Sequence, residues 1–138
     1  MTVETRRISY FRVTVRDRPG EAYRILAQLR RLGAELLAFH AYPTGPGTAQ
    51  MMLFPSDPDV LARAAESLGL VLCDPQTAFF VRAAGGTDGL AEALRACADA
   101  GVNLYAAQAV AVPQGGLGAL LYVRPEDVER AASALGAA

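Results

Sequence analysis

The chain repeats itself. At an offset of 68 residues Phe11 falls on Phe79, Val13 on Val81, Leu26 on Leu94, Gly33 on Gly101 and Val60 on Val128. The segment "SDPDV" (56–60) then lies against "RPEDV" (124–128), and Leu68-Gly69 falls beside Leu135-Gly136. An offset that keeps element order, helix stops and the pre-helix proline together marks two copies of one supersecondary plan. Each copy is at the small end of the domain range, and with 52% hydrophobic residues the chain has ample material for packed cores.

Apolar periodicity supplies the plan. Ala22, Ile25, Leu26, Leu29 and Leu32 form one helical stripe, and Val60, Leu61, Ala64, Ala65 and Leu68 form a second. Leu90, Ala93, Leu94 and Cys97 form a third, and Val128, Ala131, Ala132 and Leu135 a fourth. The stripes end at Gly33, Gly69, Gly101 and Gly136, the residue type that closes a helix in the left-handed conformation. Between them lie β-type runs: "ISYFRVTV", "AELLAFHAY", "TAQMMLF" and "GLVLC", then "TAFFVRAA", "VNLYAAQAVAV" and "GLGALLYV". The expected fold is α+β: two ferredoxin-like βαββαβ units in tandem, residues 1–74 and 75–138, with antiparallel sheets and helices on one face. The second copy lacks a counterpart of the fourth strand expected at Leu70–Cys73. Its open edge needs a cover, from the first unit, from "MTVETRR" or from another copy of the chain.

Composition removes several function classes. Net charge is −1, which argues against nucleic acid as a partner, and the third strand "TAQMMLF" lacks the basic residues of an RNA-reading sheet. All 13 basic residues are arginine, so lysine Schiff-base chemistry and a phosphate-loop lysine are excluded. Cys73 and Cys97 have no CxxC spacing and suggest two buried thiols rather than a metal or redox site. No apolar run approaches the roughly 20 residues that span a bilayer, and the first residues lack a signal-peptide pattern. A cytoplasmic protein without membrane, metal or cofactor is expected. One histidine and no nucleophile constellation speak against an enzyme.

The stretch "VTVRDRPGEAYRILAQLRRLGAELLAFHAYP" runs from strand to helix through a D-R-P-G turn and into a second strand opening on "LGAELLAF". With the βαββαβ layout of both halves, it resembles the ACT domain. The second half matches in layout and in "ALRACADAGVNLYAAQAV", but carries "AAGGTDGLAE" where the first has D-R-P-G. The resemblance implies a regulatory protein that senses a small molecule, usually an amino acid, at an interface between two ACT units. It also implies pairing of chains into a homodimer and action in trans on a regulated enzyme. A ligand-free assembly module with the same fold is the alternative.

An amino acid needs an anion site beside hydrogen-bond acceptors, and the D-R-P-G turn carries both. Arg18 offers a planar fork for a carboxylate, and Asp17 accepts from an ammonium. Pro19 suits the first helical position, and Gly20 lets a ligand approach the backbone. The same turn chemistry also serves a plain strand-to-helix connection. In the second half Gly85 and Gly86 permit close approach, whereas Thr87 or Asp88 is a ready helix N-cap. His40, in the second strand, has no partner in sequence for acid–base work, and an ACT-type pairing would bring it toward a ligand. Asn103 is expected to open the equivalent strand of the second copy.

Overall fold

In the computed structural model, which describes residues 3–137, the strands are β1 (Val3–Arg16), β2 (Leu36–Gly45), β3 (Thr48–Pro55), β4 (Gln76–Ala83), β5 (Ala106–Ala111) and β6 (Leu117–Tyr122). The helices are α1 (Glu21–Arg31), α2 (Pro58–Leu68), α3 (Thr87–Asp99) and α4 (Val128–Leu135), the last preceded by a single 3-10 turn at Pro125–Asp127. The four glycines expected to stop helices all have positive φ, between 69° at Gly69 and 89° at Gly33.

Two compact units result, and strand β1 contributes to both. Residues 9–76 form one unit, with strand order β2-β3-β1. β1 pairs antiparallel with β3, setting Phe11 opposite Leu53 and Val13 opposite Met51. Those four side chains face α1 and α2 and bury against Ile25, Leu29, Leu61 and Ala64, one sheet face closed by two helices. Both helices work because their apolar stripes repeat every three or four residues. Helix α2 also has a side-chain cap: Asp57 accepts from the backbone N–H groups of Asp59 and Val60 at 3.0 and 3.4 Å, with Pro58 in the first turn.

The second unit joins the chain from Thr77 onward to the start of β1, through Ile8. Its strand order is β1-β4-β6-β5. β6 pairs antiparallel with both β4 and β5. Phe79, Val81, Ala93, Cys97, Ala119, Leu121 and Ala131 make its core, and Val3 of β1 packs against it. The edge of β4 away from β6 is covered by the beginning of β1. Arg7 locks this arrangement with a fork-to-fork ion pair to Glu129 of α4, at 2.8 and 3.0 Å. That hydrogen-bonded pair holds the Glu129 carboxyl below its ordinary range. The division differs from one at residue 74 because the first residues of β1 fold with the later half of the chain.

Other expectations change for local reasons. Leu70–Cys73 is not a strand. Its first N–H closes α2 by donating to the Ala65 carbonyl, and among the described residues Cys73 N–H to the Arg12 carbonyl, at 2.9 Å, is its one backbone bond to β1. Leu70 and Leu72 nonetheless pack on the core, while Val71 is exposed. β5 begins only at Ala106, so Asn103 lies in the irregular approach to it, exposed. Val102 N–H is spent on closing α3 at the Cys97 carbonyl, and pairing with β6 starts where Tyr105 N–H meets the Tyr122 carbonyl. Of the two thiols only Cys97 is buried, and burial pushes its pKa up; Cys73 is exposed. Among the described residues no helix is long and apolar enough to cross a membrane.

Asp127 opens α4 from inside the protein. Only 2% exposed, it accepts from Arg124 Nε at 3.1 Å and is gripped on its other oxygen by Arg130. Replacing it with Asn keeps the shape but removes the charge that both guanidiniums bind. Asp127→Asn is expected to cost about 2 kcal/mol, the worth of charge-assisted hydrogen bonds at a buried acceptor, measured as a shifted urea midpoint with unchanged m-value.

Candidate functional site

The turn between β1 and α1 borders a hollow of about 190 Å³ within the unit formed by residues 9–76. Val15, Ala22, Ala41, Ala49 and Met51 give it an apolar lining, Tyr42 and Pro43 of β2 border it, and Arg16, Asp17, Arg18 and Glu21 supply charge. Such a combination of apolar surface and a few convergent polar groups is what small-molecule sites are made of.

Why the chain bends here is legible in the turn itself. Glu21 N–H donates to the Arg18 carbonyl at 3.3 Å, closing a four-residue turn with Pro19 second and Gly20 third. Gly20 has φ 86° and ψ −9°, the values of the third position of a type II turn, which side chains other than glycine adopt at a cost. Pro19 is thus the second residue of a turn and not the first of the helix, because the N-cap position falls to Gly20. A Cβ at Gly20 would have nothing within 4 Å, so the space in front of the turn is open. The turn is also tied to the β2–β3 hairpin, since Asp17 N–H donates to the Gly47 carbonyl at 3.1 Å.

Glu21 is the residue that the sequence reading passed over. Its side chain is 9% exposed, and both oxygens are taken: Oε1 by Arg18 Nε at 3.1 Å, Oε2 by Arg24 Nη2 at 2.9 Å. The hydrogen bond from Arg24, and after it that from Arg18, hold the carboxyl below its ordinary range although burial pushes the other way. A depressed carboxylate contributes stability that is complete above its unfolded pKa and disappears as pH falls through the lower folded value. The local sequence R-P-G-E-A-Y-R carries the signal, and R-P-E-D-V-E-R at Arg124–Arg130 repeats it around Asp127. Asp17 and Arg16 are exposed and, among the described residues, form no ion pair.

His40 sits elsewhere. It is half-buried on β2 opposite Met52, with its ring 5.3 Å from that of Tyr42, and it does not line the hollow. Its neighbours Phe39 and Ala41 pair with Leu53 and Met51, the residues of the helix-covered face, so His40 points to the other one.

The corresponding turn of the second unit has different contents. Gly86 N–H closes it on the Ala83 carbonyl at 3.0 Å, and Gly86 is the N-cap of α3, without a side-chain cap. Thr87 and Asp88 are the first two helical residues, so neither is the N-cap; Gly85 is exposed in the turn. The β5–β6 hairpin presses on this turn. A Cβ at Gly116 would stand 2.3 Å from the Ala83 oxygen and 2.8 Å from the Ala84 Cα. At the 68-residue offset Gly116 answers Thr48, and Gly115, which answers Gly47, has open space as Gly47 does. Among the described residues no group of three or more His, Cys, Asp or Glu could hold a metal ion.

No protein-family model matches the sequence, and no curated protein matches it. Solved structures do match. A protein from Bacteroides thetaiotaomicron superposes with a TM-score of 0.78 at 14% identity, over 96% of this chain and 88% of that one. The regulatory subunit of aspartate kinase from Thermus thermophilus, in a ligand-free form, gives 0.66 at 17% identity over 99% and 95%. The fold is the tandem ACT-type fold. The regulatory subunit of aspartate kinase from Thermus flavus shares it, with a TM-score of 0.62 at 17% identity over 98% of this chain and 94% of that one. In this ACT-type chain the D-R-P-G turn, the hairpin behind it and β2 thus bring Asp17, Arg18, Pro19 and Gly20 to one place, and His40 to another.

Proposed function

We propose that this protein is a non-enzymatic regulatory protein that binds a small amino acid at the Asp17–Gly20 turn and acts in trans on a partner enzyme. The hollow carries the reading: beside an apolar wall of side-chain size lie the Asp17 carboxylate and the Arg16 guanidinium, neither ion-paired among the described residues. A zwitterion needs that pairing of charges over a short distance. Likeness of fold to regulatory subunits of aspartate kinase supports a sensing role over a catalytic one. Binding acts by favouring one arrangement of the chain over another, and the difference in affinity sets the size of the response. The hollow borders β2, an edge strand that pairs on one side only and exposes Leu37, Phe39 and Tyr42. A second copy laid along β2 would close it, which makes the homodimer the competent form.

The test is a thermal-shift screen of the twenty amino acids on the full chain and on Asp17→Ala. One or a few small amino acids are expected to raise the wild-type Tm, by an amount that grows with the logarithm of concentration, and to leave Asp17→Ala unmoved. No shift with any amino acid rejects the reading.

A second reading rests on β5. All six of its residues are exposed, none is charged, and among the described residues it pairs with β6 alone. An uncharged, two-sided edge of this kind is a template for strand pairing, so an assembly module without a ligand would use it. In that case Ala109→Lys would dissociate an oligomer seen by light scattering, and no amino acid would change it.

A further inference from the structure

The two R-P-x-[E/D]-x-x-R segments provide an internal comparison. At Arg124–Asp127–Arg130 the first arginine spends its fork on its own helix: Nε and Nη2 both reach Asp127 Oδ2, at 3.1 and 3.0 Å, and Glu126 stands 3.6 Å from Nε. At Arg18–Glu21–Arg24 the residue matching Glu126 is Gly20, and Arg18 meets Glu21 through Nε alone, at 3.1 Å. The Nη pair of Arg18 has no acidic partner among the described residues, its side chain is 55% exposed, and it borders the hollow. Arg24, anchored by Gln28 at 3.3 Å, supplies the second charge that lets Glu21 remain ionised while buried.

We infer that Glu21 is a positioning residue that aims Arg18, so that the Nη fork receives the carboxylate of the ligand and makes a carboxylate obligatory for binding. The inference rests on the amino-acid reading of the hollow and adds which ligand group is selected and what selects it. An arginine side chain is long and rotamer-rich, and fixing it at Nε removes most of its freedom before the ligand arrives, which raises affinity without a new contact. Arg18 held this way presents two parallel N–H groups with the spacing of two carboxylate oxygens. An amide of the same shape offers one acceptor and two hydrogens, and the fork rejects it. Glu21 itself touches no ligand.

The probes are acetate and acetamide, and the readout is the Nε–Hε resonance of Arg18 in the 15N-labelled full chain, assigned by its disappearance in Arg18→Lys. Acetate is expected to shift it saturably in the wild type, and acetamide not to shift it. In Glu21→Gln the core amide resonances stay in place while acetate affinity falls roughly tenfold, the worth of one charge-assisted contact. Backbone amides of Asp17, Gly20 and Glu21 report the same loss in Arg18→Lys, an exposed change that keeps the charge but not the fork. Equal acetate affinity in wild type and Glu21→Gln, equal affinity in wild type and Arg18→Lys, or acetamide binding as well as acetate would each overturn the inference. Acetate binding with these dependences, but no response to any amino acid, would reject the amino-acid reading and leave the aiming of Arg18 standing.

Discussion

A chain lacking residues 1–8 will lose the fold of the unit that begins at Thr77, while the unit spanning residues 9–76 keeps its own. The first part of β1 is the neighbour of β4 in the sheet order β1-β4-β6-β5, so its removal leaves β4 with an unpaired edge. Two further losses accompany the backbone pairing. Val3 no longer packs on the core built by Phe79, Val81 and Ala93, and Glu129 loses the Arg7 fork. Together these are expected to lower the Tm of that unit by roughly 10 °C or more, since each kcal/mol is worth several degrees in a domain of this size. Hydrogen exchange locates the effect. Amides of β4 should exchange freely in the truncated chain while those of β3 remain protected, and unchanged protection in β4 would mean that β1 is not the strand that completes the unit.

Gly116→Val is the point substitution expected to do the most damage. Its Cβ would stand 2.3 Å from the Ala83 carbonyl oxygen and 2.8 Å from the Ala84 Cα, and backbone on both sides leaves no flexible side chain to move away. The residue also has φ 80°, where a β-branched side chain is strained in addition. Overpacking and left-handed strain together amount to about 4 kcal/mol. Gly20→Ala is the control. It has nearly the same φ, 86°, but open space in front of it, so only the strain remains, about 1 kcal/mol. Denaturant unfolding of the two variants separates the steric term from the backbone strain. If the two cost the same, Gly116 does not lie against the Ala83–Ala84 backbone.

Much of the fold could be read from residue spacing because the signals were local. Helix stops at Gly33, Gly69, Gly101 and Gly136 need only a residue that tolerates positive φ, and four such glycines at the ends of four apolar stripes leave little choice. The cover for the second unit's edge was legible only as a short list of alternatives, because which segment fills an edge is decided by the tertiary structure. Leu70–Cys73 reads as a strand since Leu70 and Leu72 alternate with exposed Val71. Alternation reports which side is buried, not whether the N–H groups find a ladder, and Leu70 spends its own on α2. At the site, Asp17 through Gly20 stood out as turn chemistry, yet Glu21 did not. A glutamate in the first turn of a helix is ordinary on dipole grounds, and only the arginines three residues to either side reveal that it is buried. Sequence likewise could not show that Gly116 lies against the Ala83–Ala84 backbone while Gly115 is open, since two glycines in a hairpin look alike whether they face solvent or backbone.

The proposed function puts one amino-acid site per chain at the Asp17–Gly20 turn, which borders the hollow. Isothermal titration of the full chain with the amino acid that stabilises it most tests this directly. The expected result is one molecule bound per chain, with binding removed by Asp17→Ala and unchanged by Asp88→Ala. Two molecules per chain, or binding that survives Asp17→Ala, would contradict it.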